Sequence, residues 1–136
     1  MDAHLLKAAL ACVDVAMAAV SWLILLCTYP DFARWRKEGF AEAHEQYARR
    51  VGWVVGPLLV LQMAGHLVAA TQGFWFGLML VVLSWMVTAF WSVPCHRSLS
   101  AEGPDSSALS GLVRSHSWRT AIWSLLALVS LRRLVG

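Results

Sequence analysis

The segments HEQYARR (44–50), VPCHRSL (93–99) and RSHSWRT (114–120) each place a histidine near an arginine at the edge of an apolar stretch. Their His44, Tyr47, Arg50, His96, Arg97, His116 and Arg119 are side chains suited to moving a proton and steadying an oxyanion. Imidazole changes charge near neutrality, and guanidinium stays cationic and grips oxyanions through a rigid fork. Gathered in a water-poor pocket, His44, His96 or His116 could act as general base, with Arg119 steadying the enolate or phenolate that forms. Tyr47, Arg50, Trp91 and Trp118 would then contact an apolar substrate. A single arginine at a helix end ordinarily snorkels to phosphate. Here the number of such residues, and the helical spacing of His44 and Tyr47 with Phe40 and Val51, argue for one shared site.

Three imidazoles also suit zinc, copper or iron. No HxxxH, HExxH or ExxH spacing occurs, so a metal on His44, His96 and His116 depends wholly on tertiary convergence. The sequence assigns no cofactor.

A second polar set is Asp14, Gln62 and His66. Asp14 stands 15 residues before Tyr29, and His66 stands 15 residues after Val51. At ~1.5 Å per residue both fall about 22 Å from the same side. Gln62 lies one turn from His66 on its face. A carboxylate deep in an apolar segment is a functional candidate. It would serve a small proton-coupled transporter or a ligand-binding membrane protein, or simply pin two helices in a structural subunit. His66 and His96 fall on opposite sides, so a haem held between them fares worse than a metal on the loop-side histidines.

The elements that must position these residues follow from composition. A chain of 136 residues that is 59% hydrophobic and 14% charged, with a mean hydropathy of +0.60, reads as an integral membrane protein. A spanning helix needs roughly 20 apolar residues. Segments 8–29, 51–70, 74–93 and 118–134 meet or approach this. The first runs well past the ~7–15 residues of a signal-peptide core and reads as a retained helix. The expected fold is all-α, a four-helix transmembrane bundle forming one domain over 1–136. Phe40, His44, Tyr47 and Val51 mark an amphipathic helix in the first long loop. Pro104 and Asp105 open a second short helical candidate, whose Leu109, Leu112 and Val113 are expected on the membrane surface. Thr71, Gln72 and Gly73 make a tight turn, so the second and third spans are antiparallel neighbours.

Eight Lys or Arg residues flank the two long connections, against Lys7, Arg132 and Arg133 at the other side. The bias puts both termini outside the cytoplasm, in a multi-pass protein of the cell inner membrane. The net charge of +3 resides in these loops, and no motif points to nucleic acid. The implied partners are the lipid bilayer and a small apolar molecule. Gly52 and Gly56 form a GxxxG that would suit a homo-oligomer. Cys12, Cys27 and Cys95 contain no CxxC; Cys12 and Cys27 are expected to pack as small apolar residues.

Read in order, TYP, Phe40, HEQYARR, VGWVVGPL, VPCHRSL and RSHSWRT resemble small bacterial four-helix membrane proteins of largely unknown function. These are distantly similar to the anthrone oxygenase-like family. Pro94, His96, Leu99, Trp118 and Arg119 are the matching positions, with His96 standing where Asn is commoner. The resemblance implies oxidation of a polycyclic aromatic substrate without metal or flavin, at the loop-side site.

Overall fold

A computed structural model describes residues 2–104 and 106–136, and every regular element among them is helical. Helix α1 (Ala3–Leu23) starts at Asp2, whose carboxylate accepts the His4 N–H at 3.0 Å. It runs through a widened turn, Ile24–Thr28, into α2 (Tyr29–Phe32). Helix α3 spans Phe40–Thr71 and α4 spans Trp75–Val87. A second widened turn, Thr88–Ser92, leads into α5 (Val93–Glu102), and α6 covers Ser107–Val135.

The two widened turns have one cause. Pro30 and Pro94 have no N–H to give the carbonyl four residues back, and their rings crowd it. The chain loosens just before each proline. Tyr29 N–H reaches the Ile24 carbonyl and Val93 N–H reaches that of Thr88, five residues back in both cases. Such π-turns often mark functional sites. Both lie at the level of the cavity described below.

Among the described residues, three helices are long and apolar enough to cross a membrane: Ala3–Phe32, Phe40–Thr71 and Trp75–Glu102, whose most apolar 18-residue stretches have mean hydropathies of 2.3, 1.6 and 1.9. Helix α6 is about 43 Å long at ~1.5 Å per residue but falls outside that set, because His116, Arg119 and several serines interrupt it. His116, Arg119 and some of the serines are turned inward, while Ser110 and Ser117 are exposed. Ser115, His116, Arg119, Thr120 and Ser130 are all buried, and α6 lies against both α1 and α4.

Two expectations about the connections are corrected. Residues 40–50 are not a separate loop helix. They are the first turns of α3, which continues unbroken through Arg50 and Val51, since no proline interrupts it before Pro57. The short helix expected from Pro104 is likewise the start of α6. Of its opening residues, Asp105 lies outside the described residues. Leu112 is fully buried in the core and not at a membrane surface.

Packing fixes the order of the ends. Leu6, Leu10 and Ala69 cluster with Phe74, and the Arg133 guanidinium sits 3.7 Å over the Phe74 ring. Both chain ends and the α3–α4 turn therefore share one end of the bundle. Gly73, at φ 90°, supplies the left-handed residue that the turn requires. Ile24, Tyr29, Phe32, Phe40, Leu99 and Leu112 close the opposite end, and Leu80, Val81, Ile122 and Leu126 fill the middle. The outer surface is apolar, with Trp53 78%, Phe90 79% and Leu128 66% exposed. Cys12 and Cys27 are on this surface and not in the core, a third correction, while Cys95 is half-buried.

Candidate ligand-binding site

Helices α1, α3, α5 and α6 enclose a cavity of about 590 Å³ at the end away from the termini. Ligand pockets ordinarily run ~300–1,000 Å³. Tyr29, His44, Tyr47, His96, His116 and Arg119 place polar groups on its wall; Met17, Val20, Ile24, Val51, Val55 and Trp123 make the apolar remainder. Ala48 and Gly52 on α3, with Val93 and Arg97 on α5, both line the cavity and are exposed. The cavity thus opens sideways between α3 and α5.

Five of the six residues expected to converge do so. Arg50 does not: it is exposed and absent from the wall, because its position on α3 faces away from the His44–Tyr47 stripe. The two tryptophans expected as walls are also elsewhere. Trp118 is 61% exposed. Trp91 is half-buried, with the Arg114 guanidinium 5.9 Å from its ring. Helical geometry explains the Trp118 error, since the position adjoining buried Arg119 points about 100° away. Trp123, one turn beyond Arg119, takes the place assigned to Trp118 and is only 2% exposed. Tyr29, like Ser21, Thr88 and Ser100, is a wall residue that the sequence reading does not single out. Its place in an apolar run just before Pro30 was the available signal.

Arg119 is held by its own helix. Its Nη2 donates to His116 Nδ1 at 2.7 Å and its Nη1 to Thr88 Oγ1 at 3.4 Å, while the guanidinium lies 5.5 Å over Trp123. A guanidinium only donates, so His116 Nδ1 accepts. The neutral ring then carries its hydrogen on Nε2 and donates to the Ser21 carbonyl at 2.9 Å. Tyr29 Oη approaches the same Nδ1 at 3.4 Å. His116 is occupied on both nitrogens. It orients Arg119, and its lone pair is not free for the base role that the sequence suggested.

Arg119 has no carboxylate partner among the described residues. Its Nε and the neighbouring Trp123 Nε1 are buried N–H donors that meet no acceptor among the described residues. Both residues are on the cavity wall. Buried donors normally find partners, and a buried cation normally finds an anion. What this wall can do chemically is receive an oxygen acceptor, best a charged one.

On the facing wall, His44 Nε2 lies 3.1 Å from His96 Nδ1, and His44 Nδ1 lies 2.8 Å from Ser100 Oγ. The His44 ring is stacked on Phe40 at 5.7 Å and meets Phe32 edge-on. Its neighbours therefore fix its orientation. Of the three histidines, His44 bonds to His96 and Ser100, while His116 bonds to Arg119 and Ser21 and to neither of the other two. Among the described residues, no three His, Cys, Asp or Glu side chains gather to hold a metal ion.

Asp14, Gln62 and His66 do meet, outside this cavity and nearer the termini. The Asp14 carboxylate accepts Gln62 Nε2 at 2.7 Å, His66 Nε2 at 3.1 Å and Ser130 Oγ at 2.5 Å, with all three expected residues fully buried. Ser130 was not foreseen, since a serine in an apolar helix carries no signal of its partner.

Comparison with protein-family models, with curated proteins and with solved structures finds no match.

Proposed function

We propose that this chain is an integral membrane protein of four spanning helices that binds a small apolar molecule through an anionic oxygen. Helix α6 serves as the fourth span, its polar side turned into the bundle, and both termini are extracytoplasmic. The observation that carries the reading is Arg119, a buried cation with no carboxylate partner among the described residues, on the wall of a largely apolar cavity. A carboxylate or phenolate seated beside its guanidinium would supply the missing anion, with Met17, Val20 and Val55 around its apolar body. The mouth between α3 and α5 opens where Ala48, Gly52 and Val93 face outward at the expected depth of lipid tails. The ligand reaches the site from the bilayer.

An enzymatic extension has its own support. The His44–His96 pair stands on the same cavity, and when His96 Nδ1–H donates to His44 the free His96 Nε2 can take a proton from a bound phenol. This is the part an oxygenase-like reaction on an aromatic substrate would need, and the resemblance to the anthrone oxygenase-like family favours it. A transporter built on Asp14 draws no comparable support, since its carboxylate accepts three side chains and does not line the cavity.

The test is a comparison of 1-naphthoate with neutral 1-naphthamide, binding to protein in lipid nanodiscs. A charged hydrogen bond contributes ~1.5–3 kcal/mol, which corresponds to roughly 10- to 100-fold in affinity. Wild type is expected to prefer the anion by that factor, and Arg119→Met to lose the preference. Equal binding of the two compounds by wild type, or a preference that survives Arg119→Met, would refute the reading.

A further inference from the structure

Ser100 has a hydroxyl that its own helix does not use. In α6, Ser110, Ser115, Ser117, Thr120 and Ser124 all donate to a carbonyl three or four residues back. This is the usual fate of a helical hydroxyl. Ser100 Oγ instead lies 2.8 Å from His44 Nδ1, and the far nitrogen of that ring lies 3.1 Å from His96 Nδ1. A hydroxyl bonded to an imidazole that a third group orients is the signature of an activated nucleophile.

We infer that Ser100, His44 and His96 form a nucleophilic triad that hydrolyses a carboxylic ester of an apolar acid or alcohol. The chain of bonds runs in the direction this requires when Ser100 donates to His44 Nδ1 and His44 Nε2–H donates to His96 Nδ1. His44 is the base, held by Phe40 and Phe32. His96 is a positioning residue that fixes the tautomer of His44 and steadies the imidazolium. A neutral imidazole does this less strongly than a carboxylate, so a slow hydrolase is expected.

The placement of Ser100 supplies both reactants. It lines the large cavity and also a second cleft of about 330 Å³, edged by Phe40, Glu102, Gly103 and Pro104. The ester reaches it from the apolar side and water from the polar side. In the first step the Ser100 oxygen bonds to the ester carbonyl carbon and its proton passes to His44 Nδ1. The carbon–alkoxy bond then breaks, and His44 returns the proton to the departing alcohol. Water, deprotonated by His44, attacks the acyl-serine; the carboxylic acid leaves and Ser100 recovers its proton. Arg97, one turn earlier on α5 and on the cavity wall, is the cation available to the developing oxyanion.

The inference rests on the ligand reading for the route of its substrate, and on Ser100 and His44 alone for reactivity. Full-length protein in mild detergent is treated with a long-chain alkyl fluorophosphonate, which an activated serine captures with loss of fluoride. Mass spectrometry should find the adduct on the peptide carrying Ser100, and none there in Ser100→Ala. Labelling should slow ~100-fold or more in His44→Leu, within the ~10²–10⁴ that a general base contributes. His96→Asn, which keeps an acceptor, should retain most of the rate that His96→Leu loses. The wild-type and Ser100→Ala arms carry the test even where a histidine variant does not fold. Absence of label at Ser100, equal labelling of Ser98, Ser106 and Ser107, or labelling that a folded His44→Leu leaves unchanged would overturn the inference. An unlabelled Ser100 in protein that still prefers 1-naphthoate overturns the triad alone. A labelled Ser100 without that preference overturns the ligand reading and leaves the triad standing.

Discussion

Asp14→Ala is expected to destabilise the protein by ~3–5 kcal/mol, the usual cost of leaving a buried, hydrogen-bonded polar network without its central acceptor. The Asp14 carboxylate accepts from His66, Gln62 and Ser130, which come from two other helices. All four side chains are at most 3% exposed, so water cannot replace the lost acceptor. Removal leaves three buried donors unpaired, each carrying a desolvation cost of ~1–3 kcal/mol. Asp14→Asn keeps one acceptor oxygen and should lose clearly less. In thermal unfolding of detergent-solubilised protein, Asp14→Ala should lower Tm by roughly 10–20 °C, from the few degrees per kcal/mol expected at this chain length. A Tm within a degree or two of wild type would show that the network contributes nothing to the fold.

Gly77→Val is the second large effect. A β-carbon at position 77 would lie 2.2 Å from Phe74 Cε1 and 2.5 Å from His66 Nδ1. Neither neighbour can yield easily: His66 is held by Asp14, and Arg133 covers the Phe74 ring. Overpacking of this kind costs ~1–3 kcal/mol, and a branched side chain belongs at or above the upper end. The loss should appear in the same unfolding assay, with Gly77→Ala intermediate. The effect should also couple to His66: Gly77→Ala combined with His66→Ala should cost less than the sum of the two changes. Strict additivity would show that position 77 meets something other than the imidazole.

These two sites show where the sequence was legible. The meeting of Asp14, Gln62 and His66 could be read because it needs only a rise per residue and antiparallel neighbours. So could the convergence of His44, Tyr47, His96, His116 and Arg119, since each sits where its helix enters or leaves the same end. What the sequence withheld depends on rotation about the helix axis. One residue of error, about 100°, separates exposed Trp118 from buried Arg119, and a uniformly apolar helix gives no pattern by which to choose its inner face. For the same reason Trp123, Ser130 and Ser100 passed unnoticed, each an ordinary residue until a partner from a distant segment faces it. The apparent loop helix at 40–50 was a related error. Its amphipathic stripe was read correctly, but nothing in a stripe tells whether the helix stops at its end.

The central claim is that Arg119 receives an anionic oxygen inside the cavity. An experimental structure with 4-bromo-1-naphthoate, the bromine located by its anomalous signal, tests it most directly. The account predicts the carboxylate within hydrogen-bonding distance of the Arg119 guanidinium and the brominated ring between Met17, Val20 and Val55. A bromine on the outer surface of the helices, or an acid lodged in the cavity with its carboxylate turned away from Arg119 toward the mouth, would contradict it.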